Sequence, residues 1–209
     1  MAELSIGILG GFSGKVGTVV GANWRGKDII RAKPKKKKRV GSELQIKQRA
    51  KFKLIAHFLA PLNKITAKYF GQYQGSKSRT NLAMSHQLLE TVVESGEDFE
   101  IDYSKVVITK GNLPQVTVTD IVKENNEINI SWNTNMTSKI AKGDDKIVPI
   151  LYSTNQKMFF LPEETVMRSE QSIQIPLPET WVGNEIVLWF VVVNAKETDC
   201  SISSFLGLY

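Results

Sequence analysis

The sequence predicts an α+β protein: a Gly-rich β-hairpin and short helices at the N-terminus, followed by an antiparallel β-sandwich. Three observations predict it. Seven of the 15 glycines fall in residues 1–33, at Gly7, Gly10, Gly11, Gly14, Gly17, Gly21 and Gly26. Apolar residues then recur at helical spacing between residues 43 and 94. From Phe99 onward the pattern changes to short β-prone runs divided by Asn-, Gly- and Pro-bearing turns.

In the first segment the β-prone pieces are Leu4–Leu9, Lys15–Val20 and Asp28–Ala32. The stretch GTVVGANWRGKDIIRA reads as two strands around Arg25-Gly26-Lys27, because glycine supplies the positive φ of a tight turn. Residues 34–39, PKKKKR, are an exposed arm: five adjacent cations repel one another, and the bond to Pro34 favours extended backbone.

Ser42 offers an N-cap, with Glu43 near the positive end of a helix. That helix runs from Glu43 to Leu59, with Leu44, Phe52, Ile55, Phe58 and Leu59 on its apolar side. Pro61 opens a second helical segment through Phe70, with Leu62, Ile65 and Tyr69 on one face. Thr80 caps a third helix to about Glu94, carrying Leu82, Leu88, Leu89, Val92 and Val93.

Strands are predicted at Lys105–Thr109, Gln115–Lys123, Glu127–Asn133, Lys146–Ser153, Lys157–Leu161, Ser172–Pro176, Glu185–Asn194 and Ser201–Leu208. Ile128, Ile130 and Trp132 alternate onto one face, and Ile186–Val193 is continuously apolar, as a central strand is. This gives three parts: 1–98, the basic hairpin and helical region; 99–112, a linking strand; and 113–209, the sandwich. Without a second cysteine to bond Cys200, the sandwich reads as immunoglobulin-like of the fibronectin-III kind.

Charge divides the chain more sharply than any motif. Residues 1–80 hold 18 Lys+Arg against 3 Asp+Glu, a balance of +15; residues 81–209 hold 9 against 18, or −9. Such a split speaks of partners rather than fold. The cations Arg25, Lys27, Arg31, Lys33, Lys35, Lys36, Lys37, Lys38 and Arg39, with Lys47, Arg49, Lys51 and Lys53 on the helix, are candidates for contact with phosphate or with an acidic partner. Gly14, Gly17, Gly21 and Trp24 are candidates for packing at an interface, since glycines let backbones approach closely.

Catalytic chemistry finds no support. The glycine spacing fits neither a Walker loop nor G-x-G-x-x-G, since three residues separate Gly10 from Gly14 and Val16 follows Lys15. His57 and His86 have no second ligand at metal spacing and read as structural. The acid pairs Asp144/Asp145 and Glu163/Glu164 read as solvated loop residues. Cys200 reads as a small strand residue. No enzyme activity, cofactor, metal or small-molecule substrate is expected. No apolar run approaches the roughly 20 residues of a bilayer span. The N-terminus lacks a secretory pattern, so the expected location is cytoplasmic at synthesis, with a virion as the later destination.

The runs Gly11-x-x-Gly14-x-Val16-Gly17, Trp24-x-Gly26-x-x-x-x-Arg31 and Gln45-x-x-x-Arg49-x-Lys51-Phe52, with a later DYSKVVITKGNLP, carry a resemblance. The chain resembles a protein family of unknown function from Bacteroidota, with relatives in their phages and mobile elements. PKKKKRVGS departs from that family, which commonly has an Asn/Thr-rich link there. The resemblance implies a phage-like context and no activity.

Two functions follow as expectations. The first is a non-enzymatic structural or assembly protein, a phage-like virion or mobile-element component using its basic N-terminal region for contacts in a homo-oligomer or larger protein assembly. The alternative is a sequence-independent nucleic-acid-binding protein using residues 24–53. Because five adjacent charges cannot be buried unpaired, limited trypsin digestion is expected to cut within residues 35–39 before it cuts the strands of 113–209. Resistance at that site in a proven monomer would contradict an exposed arm.

Overall fold

Positive φ at Gly17 (56°) and Gly26 (78°) folds the N-terminal segment back on itself. In a computed structural model this segment is an antiparallel sheet of β1 (Glu3–Leu4), β2 (Phe12–Val16), β3 (Val19–Trp24) and β4 (Lys27–Ala32), in that spatial order. The structure describes residues 3–4, 11–24, 26–35, 41–75, 77–96, 98–124, 126–136, 138–163 and 165–209. The register pairs Val16 with Val19 and Trp24 with Lys27, so the chain reverses at 17–18 and again beside Gly26. The second is the hairpin expected around Gly26. The first interrupts the single strand expected over Lys15–Val20, because the αL backbone at Gly17 turns the chain there. Of the expected strand Leu4–Leu9, only Leu4 falls among the described residues.

The chain divides into two units, Met1–Gln45 and Ile46–Tyr209. The helices therefore share a unit with the later strands, whereas the sequence groups them with the hairpin. Helix α1 (Glu43–Leu59) has the expected bounds. Helix α2 (Asn63–Tyr69) follows Pro61, and α3 (Arg79–Glu90) is capped by Ser78, whose hydroxyl accepts from Asn81 N at 3.3 Å. Thr80, the expected cap, lies inside the helix.

Helix α3 also ends four residues sooner than expected. Val92 and Val93 belong to strand β5 (Val92–Ser95), paired with β6 (Asp98–Ile101). Adjacent β-branched side chains favour extended backbone, and Gly96 at φ 62° supplies the turn. The strand expected over Lys105–Thr109 is absent. Asp102 accepts from Ser104 N at 3.1 Å and opens a 3₁₀ turn over Tyr103–Lys105. Hydroxyls then replace ladder bonds: Ile108 N donates to Ser203 Oγ at 2.7 Å, and Thr109 Oγ1 donates to the Ser201 carbonyl at 2.9 Å.

The remaining strands follow the alternation closely. They are β7 (Thr117–Glu124), β8 (Glu127–Asn133), β9 (Lys146–Ser153), β10 (Met158–Phe160), β11 (Val166–Met167), β12 (Ser172–Pro176), β13 (Ile186–Val193) and β14 (Ser204–Leu208). One sheet has the order β12-β8-β7; the other runs β10-β9-β13-β14, with β11 also on β9. All these pairings are antiparallel. The whole is an α+β structure of mostly antiparallel sheets with three short helices.

Every residue of β13 is buried. Val187, Trp189, Val191 and Val193 share a cluster with Ile55, Phe58, Leu59 and Leu62 of the helical region. Leu188, Phe190 and Val192 share the other cluster with Ile128, Ile130 and Trp132 of β8 and Ile173 and Ile175 of β12. The period of two thus sends alternate residues into two different cores.

Asp145 departs from its expected place in a solvated loop. It is 1% exposed and pairs with Arg168, which is fully buried, at 3.2 Å from Nε to Oδ2. The guanidinium also donates to the carbonyls of Thr134 (2.9 Å) and Pro114 (2.7 Å). Trp132 Nε1 donates to the Arg168 carbonyl at 3.0 Å. One cation thereby joins four segments. Removing one partner of such a pair leaves a buried charge and costs about 3–5 kcal/mol. Asp145→Ala is expected to lose that much in urea unfolding, while Asp144→Ala, at an exposed position, stays within about 0.5 kcal/mol of wild type. Equal losses from the two would remove the pair from the account of stability.

Candidate functional site

Cross-strand register sorts the N-terminal sheet into two unlike faces. Lys15 pairs with Val20 and Val20 with Arg31; on the same side lie Ala22 opposite Ile29 and Trp24 opposite Lys27. This face carries three cations, two of them among the expected site residues, and it holds Trp24, whose side chain is about half exposed. The opposite face carries Gly14 opposite Gly21, Gly21 opposite Ile30, and Val19 opposite Ala32. Trp24 therefore stands with the cations and not with the glycines. Lys15 was missed by sequence reasoning; the strand period with Arg31 is the signal that finds it.

The glycines act locally. A Cβ on Gly21 would come within 2.1 Å of the Phe12 carbonyl oxygen and 2.6 Å of its ring, so this glycine lets a neighbouring strand of its own sheet approach closely. Gly17 faces open space in its turn. The β3–β4 turn is tied by Gly26 N donating to Asn23 Oδ1 (3.0 Å) and Asn23 Nδ2 donating to Asp28 Oδ1 (2.9 Å). Strand β4 is exposed along its length, and Lys33 and Lys35 beyond it are exposed too. Arg25, Lys36, Lys37, Lys38 and Arg39 lie outside the described residues.

The helix cations do not form one surface. At 100° per residue, Lys47 and Lys51 share one side of α1, and Arg49 and Lys53 share the other. Lys51 is spent on an ion pair with Glu94 (3.2 Å) and on the Phe99 ring (4.8 Å). Arg49 and Lys53 are exposed.

Acid is concentrated on the sheet β12-β8-β7. Its inward side chains are Ile121, Ile128, Ile130, Ile173 and Ile175, which leaves Asp120, Val122, Glu124 and Glu127 on the outer face. Glu124 and Glu127 are directly opposed across the ladder. Like charges in that position repel, and Gln174 Nε2 donates to the Glu127 carboxylate. Lys123 points the other way and donates to the carbonyls of Asn184 (2.7 Å) and Tyr209 (3.1 Å).

A cleft of about 830 Å³ lies in the second unit. It is built from the end of α2, Gly71, Gln72, Gln74 and Lys77, one face of α3 and the 110–112 and 198–202 segments. Lys68, Lys77, Arg79 and Lys110 line it against Glu90 and Asp199. Its floor is fixed by Lys110 N donating to the Tyr69 carbonyl (2.9 Å) and Gly71 N donating to the Lys110 carbonyl (2.7 Å). A Cβ on Gly111 would come within 2.1 Å of the Cys200 carbonyl oxygen, so close approach there requires glycine. The Arg79 guanidinium donates to the Lys68 carbonyl and lies 5.5 Å over the Tyr73 ring.

His86 sits in the cleft wall, 5.9 Å from the Phe70 ring. Burial lowers its pKa, and the nearby Lys110 charge lowers it further. Cys200 is buried, as expected of a small strand residue, and burial pushes its thiol up to about 11. His57 is exposed on α1. Among the described residues no three His, Cys, Asp or Glu side chains gather as a metal site, and no helix is long and apolar enough to cross a membrane.

Glu197 pins α2 to β9 by accepting from Lys68 (2.8 Å) and Lys146 (2.9 Å). These two ammonium groups, Lys68 foremost, hold its carboxyl at about 2. A folded-state pKa below the unfolded value stabilises the fold above the unfolded pKa of about 4.5, and the gain is lost as pH falls toward 2. At low ionic strength Glu197→Gln is expected to melt below wild type at pH 6, with the gap closing by pH 2. A gap that widened on acidification would reverse the assignment.

Residues 11–207 match the family model described as "Family of unknown function (DUF6266)". No curated protein and no solved structure matches the chain.

Proposed function

We propose that this chain, which belongs to that family of unknown function, is a non-enzymatic structural or assembly protein. It joins copies of itself in a phage-like virion or mobile-element particle. The observation that carries the reading is the pair of opposite surfaces: Lys15, Lys27 and Arg31 on one face of the N-terminal sheet, and Asp120, Glu124 and Glu127 on the outer face of β12-β8-β7. Glu124 and Glu127 are directly opposed on the acidic face, where the one amide donor from Gln174 brings no positive charge, and a cation from a second copy would offset their repulsion. The two later sheets, which share the cluster around Trp132 and Phe190, are read as the immunoglobulin-like sandwich that displays this acid.

Head-to-tail contact of unlike surfaces suits a chain whose halves carry +15 and −9. Trp24 beside Lys27 favours the second reading, sequence-independent nucleic-acid binding, because an exposed ring among cations stacks on any base. Charge complementarity within one chain places assembly first.

Sedimentation velocity tests the order. Lys27→Gln/Arg31→Gln and Glu124→Gln/Glu127→Gln should each shift wild-type assemblies toward monomer. The double charge swap, Lys27→Glu/Arg31→Glu with Glu124→Lys/Glu127→Lys, should restore them. If wild type stays monomeric at high concentration yet binds unrelated duplexes, the nucleic-acid reading replaces assembly. The salt slope of the Gln variants should then shrink by roughly 0.9 for each phosphate they no longer neutralise.

A further inference from the structure

The cleft between α3 and the 110–112 and 198–202 segments brings cations together with one apolar helix face, and the surfaces used in the proposed assembly contribute nothing to it. We infer that it binds a small organic anion, with the phosphate or carboxylate held by Lys77 and Lys110 and an apolar or planar body laid along Leu82, Leu89 and Ile202.

Several features support this. The volume of about 830 Å³ lies within the roughly 300–1,000 Å³ range of ligand clefts. Cations outnumber carboxylates on the lining, four to two. Of these, Lys68 is already satisfied by Glu197, and the Asp199 carboxylate accepts from Cys200 N at 2.8 Å. Lys77 and Lys110 have no carboxylate within 4.0 Å among the described residues. Lys77 also stands at the start of the twelve-residue helix α3, whose backbone dipole adds to the positive potential.

The apolar wall has a regular cause. Leu82, His86 and Leu89 recur at i, i+4 and i+7 on α3, so one helix face lines the cleft. Leu89 is 78% exposed, an unusual place for a leucine in a helix that buries its other side. Two polar atoms in this wall, Arg79 Nε and His86 Nδ1, are buried without a hydrogen-bond partner among the described residues. Such atoms commonly mark a missing partner. Burial and the Lys110 charge both lower the pKa of the imidazole, which disfavours a positive charge on it.

The test uses the full-length chain and three probes of similar size: phenyl phosphate, phenylacetate and the uncharged benzyl alcohol. Binding is followed by amide and His86 chemical shifts. At least one anion is expected to bind and to shift Leu82, His86 and Leu89, with benzyl alcohol at least tenfold weaker. The tighter of the two anions identifies the charged group. Lys77→Gln/Lys110→Gln should weaken anion binding at least tenfold, and Leu89→Ser, at an exposed site that leaves the core intact, should weaken it severalfold. Lys35→Gln/Lys36→Gln/Lys37→Gln/Lys38→Gln should bind like wild type. No shift with either anion at millimolar concentration overturns the inference. So does loss of binding in the arm variant with retention in Lys77→Gln/Lys110→Gln. Neither result bears on assembly, which the sedimentation experiment reads separately.

Discussion

Strand β13 must be covered on both faces, and the second unit is arranged around that need. Eight consecutive apolar residues cannot be left half in water: a buried Val, Leu, Ile or Phe side chain is worth about 1.5–3 kcal/mol relative to an exposed one. Helical residues cover Trp189 and its odd-numbered neighbours; β8 and β12 cover Phe190 and its even-numbered ones. The hydrogen-bonding edges are used as well, by β9 on one side and β14 on the other. This explains why the helices share a unit with the later strands. Their apolar stripe has a partner there.

Arg168 performs a different task in the same unit. It sits where the ends of β8 and β9 meet β11, and it supplies donors to carbonyls that the sheet ladders leave unused. Its own carbonyl takes the Trp132 indole. A hydrophobic residue of similar size would fill the space but leave the Thr134 and Pro114 carbonyls without these donors. The ion pair with Asp145 is therefore best understood as the condition for placing a multiple donor in the interior, rather than as a source of stability in itself.

Much of this was legible in the sequence, and the exceptions share a cause. The bounds of α1, β8, β9 and β12 follow from local periodicity, and so does the burial of Ile128, Ile130 and Trp132. Residues 106–109 are β-branched like a strand, yet Ile108 N donates to the Ser203 hydroxyl and the Thr109 hydroxyl donates to the Ser201 carbonyl, both more than 90 residues away. Asp145 looks like any loop acid until Arg168, 23 residues on, is brought beside it. Val92 and Val93 continue a helical period, and the turn at Gly96 together with their β-branched side chains sets them in a strand. At the candidate site, Lys27 and Arg31 were identifiable by charge alone. Lys15 needed the register of the sheet. The cleft needed residues from 68 to 202 to converge, which no local pattern encodes.

Strand β4 lies at the end of its sheet and shows its whole length to solvent. An open edge of this kind is a template for any other extended chain, and charged side chains are a common guard against such pairing. Lys27, Asp28 and Arg31 stand on this edge. The same side chains can therefore act as gatekeepers against amyloid-like growth. A homologue that gave up these charges would need another guard, such as a proline, a bulge or a shorter strand.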